Sequence, residues 1–378
     1  MRAMAQAVID LDAVAHNTRL LADSAAAAQV MAVVKANGFG HGASQVAEVA
    51  LRHGASWAGV TSVAEALALR ADGITAPILI WLYSSTETFE DVLEHEIDIS
   101  VGSLPALMAV ADAATRAKTL AYVHLKADTG LSRGGAPAEE WPDLLAWARK
   151  YEAAGLIRVR GIWSHLANAE SAGHPRLVAQ LDQFAEVRAL AAEVGLQPTL
   201  THLANSAAIL HLPETHFNLV RPGIALYGVE PVPGRTFGLR PAMTLQSQVI
   251  LTKRVPAGSG VSYGPDYVTD RATTLALLPI GFADGVPRLA GGRAYAALKG
   301  RRCPIVGRIA MDQCVVDVGD LPVYAGDTAV LFGPGDDGEA RVLDWADWAE
   351  TNPHEVLTGV GARVERVYLP VHRDRANS

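Results

Sequence analysis

Cysteine is almost missing. Cys303 and Cys314 are the only two in 378 residues, and neither belongs to a Cys-x-x-Cys pair or a Cys/His cluster. That excludes a disulfide framework and leaves no support for a structural metal site. An excess of positive charge is missing too: Lys and Arg number 32 against 40 Asp and Glu, a net charge of −8. A protein that neutralises phosphate backbones needs a basic face, so nucleic acid is excluded as an expected partner. No run approaches the roughly 18 apolar residues of a membrane span. The opening MRAMAQAVIDLDAVAHNTRLLADS puts charges where a signal peptide needs an unbroken apolar stretch. The expectation is a cytoplasmic protein. With 50% AVILMFWYC and 19% charged residues, the chain has enough apolar surface for a real core and is not a disordered segment.

What is present is a repeated alternation. Eight short β-rich apolar runs occur in the first 225 residues, at 30–35, 56–60, 77–83, 97–101, 119–126, 157–164, 198–203 and 217–221. Alanine-, leucine- and charge-rich stretches with helical spacing lie between them, such as 43–54, ending at Gly54, and 62–73, opened by a Ser62-x-x-Glu65 capping box. Eight strand–helix units whose strands are apolar on both faces predict a (β/α)₈ TIM-type barrel. A doubly wound open sheet is the rival, but it would stop sooner and would carry a G-x-G-x-x-G after its first strand, which is absent.

Near 229 the texture changes to VEPVPGRTFGLRP, rich in proline and glycine, and helical periodicity then stops. The expected division is a barrel over 1–235 and a mainly β C-terminal domain over 236–378, with strands in TLQSQVILTKRV, TTLALLPIG, RRCPIVGRI, CVVDVG and DTAVLFG and one helix at 344–350. A strand-like piece at 5–11 precedes the barrel count and would suit the second domain.

Barrels place their chemistry at the C-terminal ends of the strands. This selects Lys35 with ANGFGHG, then Lys126, Asp128 and Arg133, then His165, then Asn205 and Ser206, then Arg221, Gly223 and Ile224. Singly, each has a plainer reading. A lysine closing an apolar strand is usually a solvated terminus, and a lone histidine is more often a satisfied core residue. NGFGHG reads equally as a β–α turn, Arg221 as a rim cap, and Lys126 with Asp128 as a surface ion pair worth about 0–1 kcal/mol. Their convergence on one rim is what independent accidents would not produce. The loops after the last two strands are a common phosphate site. A phosphate opposite a lysine fits pyridoxal phosphate held as a Schiff base, and equally a Schiff-base aldolase acting on a sugar phosphate.

At VVKANGFGHG (33–42) the sequence resembles the cofactor-attachment segment of alanine racemases, fold-type III pyridoxal phosphate enzymes. The likeness continues through HLKADTGLSRGG, GIWSHLANAE, HLANSAA and VRPGIALYG to VSYGPDY, IGFADGVPR and VGRIAMDQ, eight segments in family order. It implies that Lys35 carries the cofactor, that Lys126 can be carbamylated, and that Arg133 meets the cofactor phenolate and the substrate. It also implies that His165 lies against the ring, that Asn205, Ser206, Gly223 and Ile224 hold the phosphate, and that Arg221 faces the pyridine nitrogen. Tyr263 would come from the partner subunit of a homodimer as the second base, with Met311 closing the substrate pocket and Asp128 and Asp312 supporting it. Racemisation needs a proton taken from one face and returned to the other, so two bases are a chemical necessity. The implied activity is interconversion of L- and D-alanine.

Three positions depart from the family pattern: Phe39 and Phe282 replace tyrosines, and His354 replaces another near TNPHE (351–355). Phe39 and His354 bear on cofactor affinity, and Phe282 and His354 on pocket selectivity. A serine-accepting racemase is therefore the nearest alternative. A non-catalytic pyridoxal phosphate carrier, which resembles the barrel alone, is the more distant one.

Overall fold

The computed structural model describes residues 4–264 and 266–371. Eight parallel strands form the first sheet: β2 (Gln29–Val33), β3 (Trp57–Val60), β4 (Ile78–Ile80), β5 (Ile97–Val101), β6 (Ala121–Lys126), β7 (Ile157–Trp163), β8 (Leu200–His202) and β9 (Leu219–Val220). Each coincides with one of the eight apolar runs. β9 pairs with β2, and the backbone amides of Asn218 and Arg221 donate to Thr201 and Ala204 beside β8, so the sheet curls into a nearly closed barrel. Met31, Trp57, Leu79, Leu200 and Leu219 pack inside it, and helices cover the outside. The capping box at Ser62 is formed, with the Glu65 amide donating to Ser62 Oγ and Glu65 Oε2 accepting from Ser62.

The N-terminal strand, β1 (Ala5–Asp10), stays out of the barrel. It lies between β10 (Met243–Gln248) and β17 (Glu365–Leu369) in a second, nine-stranded sheet. The remaining members are β11 (Leu251–Val255), β12 (Thr273–Leu278), β13 (Tyr295–Leu298), β14 (Arg301–Val306), β15 (Cys314–Gly319) and β16 (Thr328–Phe332). TLQSQVILTKRV is not one strand. The Val249 amide donates to Asp327 and the Ile250 amide to Leu277, which turns the chain from one pairing partner to another. The late helix runs Val342–Trp348, and a second follows at Pro353–Gly359. That second helix reaches back to the barrel, where the Leu357 carbonyl lies against Gly40 so closely that a Cβ there would come within 2.5 Å of it.

Candidate functional site

Lys35 follows β2, and the four residues after it all have positive φ: Ala36, Asn37, Gly38 and Phe39, at 52°, 54°, 60° and 51°. Left-handed backbone costs an ordinary L-residue about 1–2 kcal/mol, so a run including Ala and Phe needs support. Glu65 Oε1 accepts from the Ala36 amide at 2.7 Å while Oε2 accepts from Thr61 and Ser62, and Asn37 Oδ1 accepts from Ala43. Tyr227 donates to the Val33 carbonyl at 3.0 Å, and its ring lies 4.7 Å from that of Phe39, tilted by 31°. Phe39 is buried, 5.7 Å from the His354 ring, and its Cζ would be 3.2 Å from a Cβ on Gly223.

Lys126 ends β6, its Nζ 4.7 Å from the Trp163 ring. Asp128 Oδ1 accepts from the amides of Gly130, Leu131 and Ser132, so it builds the loop that carries Arg133. Gly135 lets that loop fold back at φ 113°, where a Cβ would meet Ala127 at 2.7 Å. Asn205 caps the short helix Ser206–His211 through the Ala208 amide, and Ser206 Oγ accepts from Gly223 at 2.9 Å and Ala225 at 3.2 Å, with Ile224 between them. Arg221 is 5% exposed; it donates to the Ser164 carbonyl and to His202 Nδ1, with His165 Nδ1 at 3.4 Å.

Four cations therefore share one mouth. Burial, followed by Arg221 and Arg133, pushes Lys126 down to about 8 against the opposing pull of Asp128. Burial and then Arg133 lower Lys35, with Glu65 opposing. His165 is pulled down to about 3, first by burial and then by Arg221, and is neutral at physiological pH. Burial pushes Arg221 down to about 9, still cationic there. His354 is lowered by partial burial and, second, by Lys35.

The structure thus brings together Lys35, Phe39, Lys126, Arg133, His165, Asn205, Ser206, Arg221, Gly223 and Ile224, with His354 supplied by the second sheet's helix. Tyr263 and Met311 are not part of this cluster: they stand 68% and 56% exposed on the second domain. Asp312 holds Arg363, which also binds Asp284. Residues that the sequence did not single out are Glu65 as a brace for the strained turn, Tyr227, Trp163, and the Asp98–His124 pair beneath His202. Only the capping box hinted at Glu65, and nothing local marks the others.

Comparison with known proteins identifies the family. The family model described as alanine racemase, N-terminal domain, matches residues 9–231, and that of the C-terminal domain matches 242–368. A Thermobifida fusca protein named alanine racemase is 51% identical over 97% of this chain and 99% of its own. The crystal structure of alanine racemase from a D-cycloserine-producing Streptomyces lavendulae superposes with a TM-score of 0.96 at 47% identity, over 98% of each chain. One from Bartonella henselae, described as having covalently bound pyridoxal phosphate, gives 0.87 at 32% identity, over 97% of this chain and 100% of its own. Matched by both domain models and by relatives along nearly its whole length, this chain belongs to the alanine racemase family.

Proposed function

We propose that this chain interconverts L- and D-alanine, with pyridoxal phosphate at the barrel mouth and each site completed by a second copy of the chain. The observation that carries this reading is an excess of positive charge, four cations against two carboxylates. Lys35, Lys126, Arg133 and Arg221 act on one another or on His165, while Asp128 and Glu65 already spend oxygens on backbone amides. Such a mouth fits a polyanionic ligand, and pyridoxal phosphate brings a phosphate and a phenolate oxygen. Lys35 would hold its aldehyde carbon, and Ser206 with the Gly223 and Ile224 amides its phosphate, supported by Asn205, Phe39 and His354. Arg221 would face its ring nitrogen, and Arg133 its phenolate oxygen and the substrate carboxylate. When bound, the cofactor draws electrons from the substrate's α-carbon and so acidifies the α-hydrogen.

The chain's own groups do the rest. Lys35, its ammonium disfavoured by burial and Arg133, takes or returns the proton at one face. The partner subunit's Tyr263 serves the other face; its counterpart here stands 68% exposed. Arg221 only donates hydrogen bonds, so it withholds from the ring nitrogen the proton that a carboxylate would keep there. His165 offers Nδ1 to Arg221, which leaves Nε2–H free to steady a phenolate. Phenols cost about 4 kcal/mol to ionise at neutral pH, which makes such a donor necessary. Met311 would close the pocket, and Asp312 would hold its loop through Arg363. Lys126, near 8, keeps enough neutral amine to take up carbon dioxide as a carbamate, which would put a negative charge among the cations. Two unpaired buried cysteines suit a cytoplasmic location; among the described residues no helix is long and apolar enough to cross a membrane.

The test is α-hydrogen exchange in deuterated water over a panel of L-amino acids with added pyridoxal phosphate. L-alanine should exchange and yield D-alanine. No exchange with any member would defeat the reading, and faster exchange with L-serine would assign the broader specificity.

A further inference from the structure

Barrel interiors are usually filled by branched apolar side chains, but beneath Arg221 this one holds a chain of polar groups. Arg221 Nη1 is 3.1 Å from His202 Nδ1, His202 Nε2 is 2.8 Å from His124 Nδ1, and His124 Nε2 is 3.0 Å from Asp98 Oδ2. Asp98 Oδ1 accepts from Arg160 Nη1 at 2.8 Å. Asp98, His124 and His202 are fully buried. A guanidinium only donates and a carboxylate only accepts, so the two ends fix every hydrogen between them. His202 must accept at Nδ1 and donate from Nε2; His124 must do the same and deliver its Nε2–H to Asp98.

The backbone is shaped for this chain. The β6–β7 register slips between Val123 and His124, opposing Val159 and then Gly161, which leaves Arg160 as the extra residue facing Asp98. At Gly161 a Cβ would lie 2.2 Å from His124 Nδ1, so only glycine leaves the imidazole its place. Trp163 stacks on His202 with ring planes 8° apart and also lies under the Arg221 guanidinium.

We propose that Asp98 is a positioning residue for the racemase reaction: through His124 it fixes the tautomer that His202 presents to Arg221, and so aims Arg221 at the cofactor's ring nitrogen. This rests on the function proposed above, and the test separates the two. In wild-type apoenzyme, ¹⁵N NMR of the histidines should show His124 and His202 neutral with the hydrogen on Nε2. In Asp98→Asn, Arg160 claims the amide oxygen and turns the NH₂ toward His124. That reverses the chain and leaves His202 facing Arg221 donor to donor, so both histidine signatures should change. Loaded enzyme should lose about tenfold in kcat, the scale of one hydrogen bond to a charged group, with the cofactor's ring ¹⁵N signal displaced. Asp98→Asn/Arg160→Met frees the amide oxygen to turn back and should restore both patterns, a rescue that a merely structural role would not give. A wild-type histidine that is charged or protonated on Nδ1 would overturn the proposal without any variant, as would unchanged signals in Asp98→Asn. The expected apoenzyme pattern in a protein that never binds pyridoxal phosphate would instead overturn the functional reading, and with it Asp98's part in catalysis.

Discussion

The barrel mouth and the exposed face of the second domain are built to opposite standards. At the mouth, Arg221 is 5% exposed and held by two backbone carbonyls and a histidine ring, and a left-handed turn beside Lys35 is braced by Glu65 and Asn37. On the other face, Tyr263, Met311 and Phe282 stand 68%, 56% and 41% exposed. Exposed groups of this kind suit a surface that a second copy covers in the dimer proposed above. In the function proposed above, one chain carries one half-site at its mouth and the donor half of another on this face. In that dimer a two-fold pairing would give each mouth what it lacks, because a closed dimer presents the same surface in both directions.

The comparison breaks first at Lys35. Lys35→Ala should abolish the visible absorption of lysine-bound cofactor together with all racemisation, and an unchanged spectrum would remove Lys35 from the site. Tyr263→Phe should keep that absorption while lowering kcat about 10²–10⁴-fold, the usual worth of a positioned proton-transfer group; α-hydrogen exchange checks it. A smaller effect concerns the crowded cations of the mouth. Lys126 sheds its proton near 8 in the folded chain and near 10.5 unfolded, so the unfolded state binds more protons between those values and stability rises with pH across that window. Apoenzyme in carbon-dioxide-free buffer should gain on the order of 1–2 kcal/mol there relative to Lys126→Met, after allowance for solvent screening, as denaturant midpoints would show. Smallest is Phe39→Tyr, which adds one hydroxyl beside Gly223 and should tighten cofactor binding a few-fold to about tenfold.

Most of the barrel was legible because its strands are apolar on both faces and separated by helical spacing. The second sheet was legible only in part. β13 is alanine-rich between glycines and β17 is short and charged, so neither carries a strong alternation. The break at Val249–Ile250 depends on pairing partners far away in sequence. Within the site, Lys35, Lys126, Arg133, His165 and Arg221 could be selected because each follows a strand end on the same rim. Glu65, Tyr227, Trp163 and Asp98 could not, since their contacts join strands and helices that only the closed barrel brings together.

The division of each site between two chains is tested most directly by complementation. Lys35→Ala and Tyr263→Phe, each inactive alone, would be coexpressed and assayed for alanine racemisation. Mixed dimers pair an intact mouth with an intact phenol at one site, so random pairing should restore roughly a quarter of wild-type activity. Activity no higher than the sum of the two variants, with mixed dimers shown to form, would contradict the account.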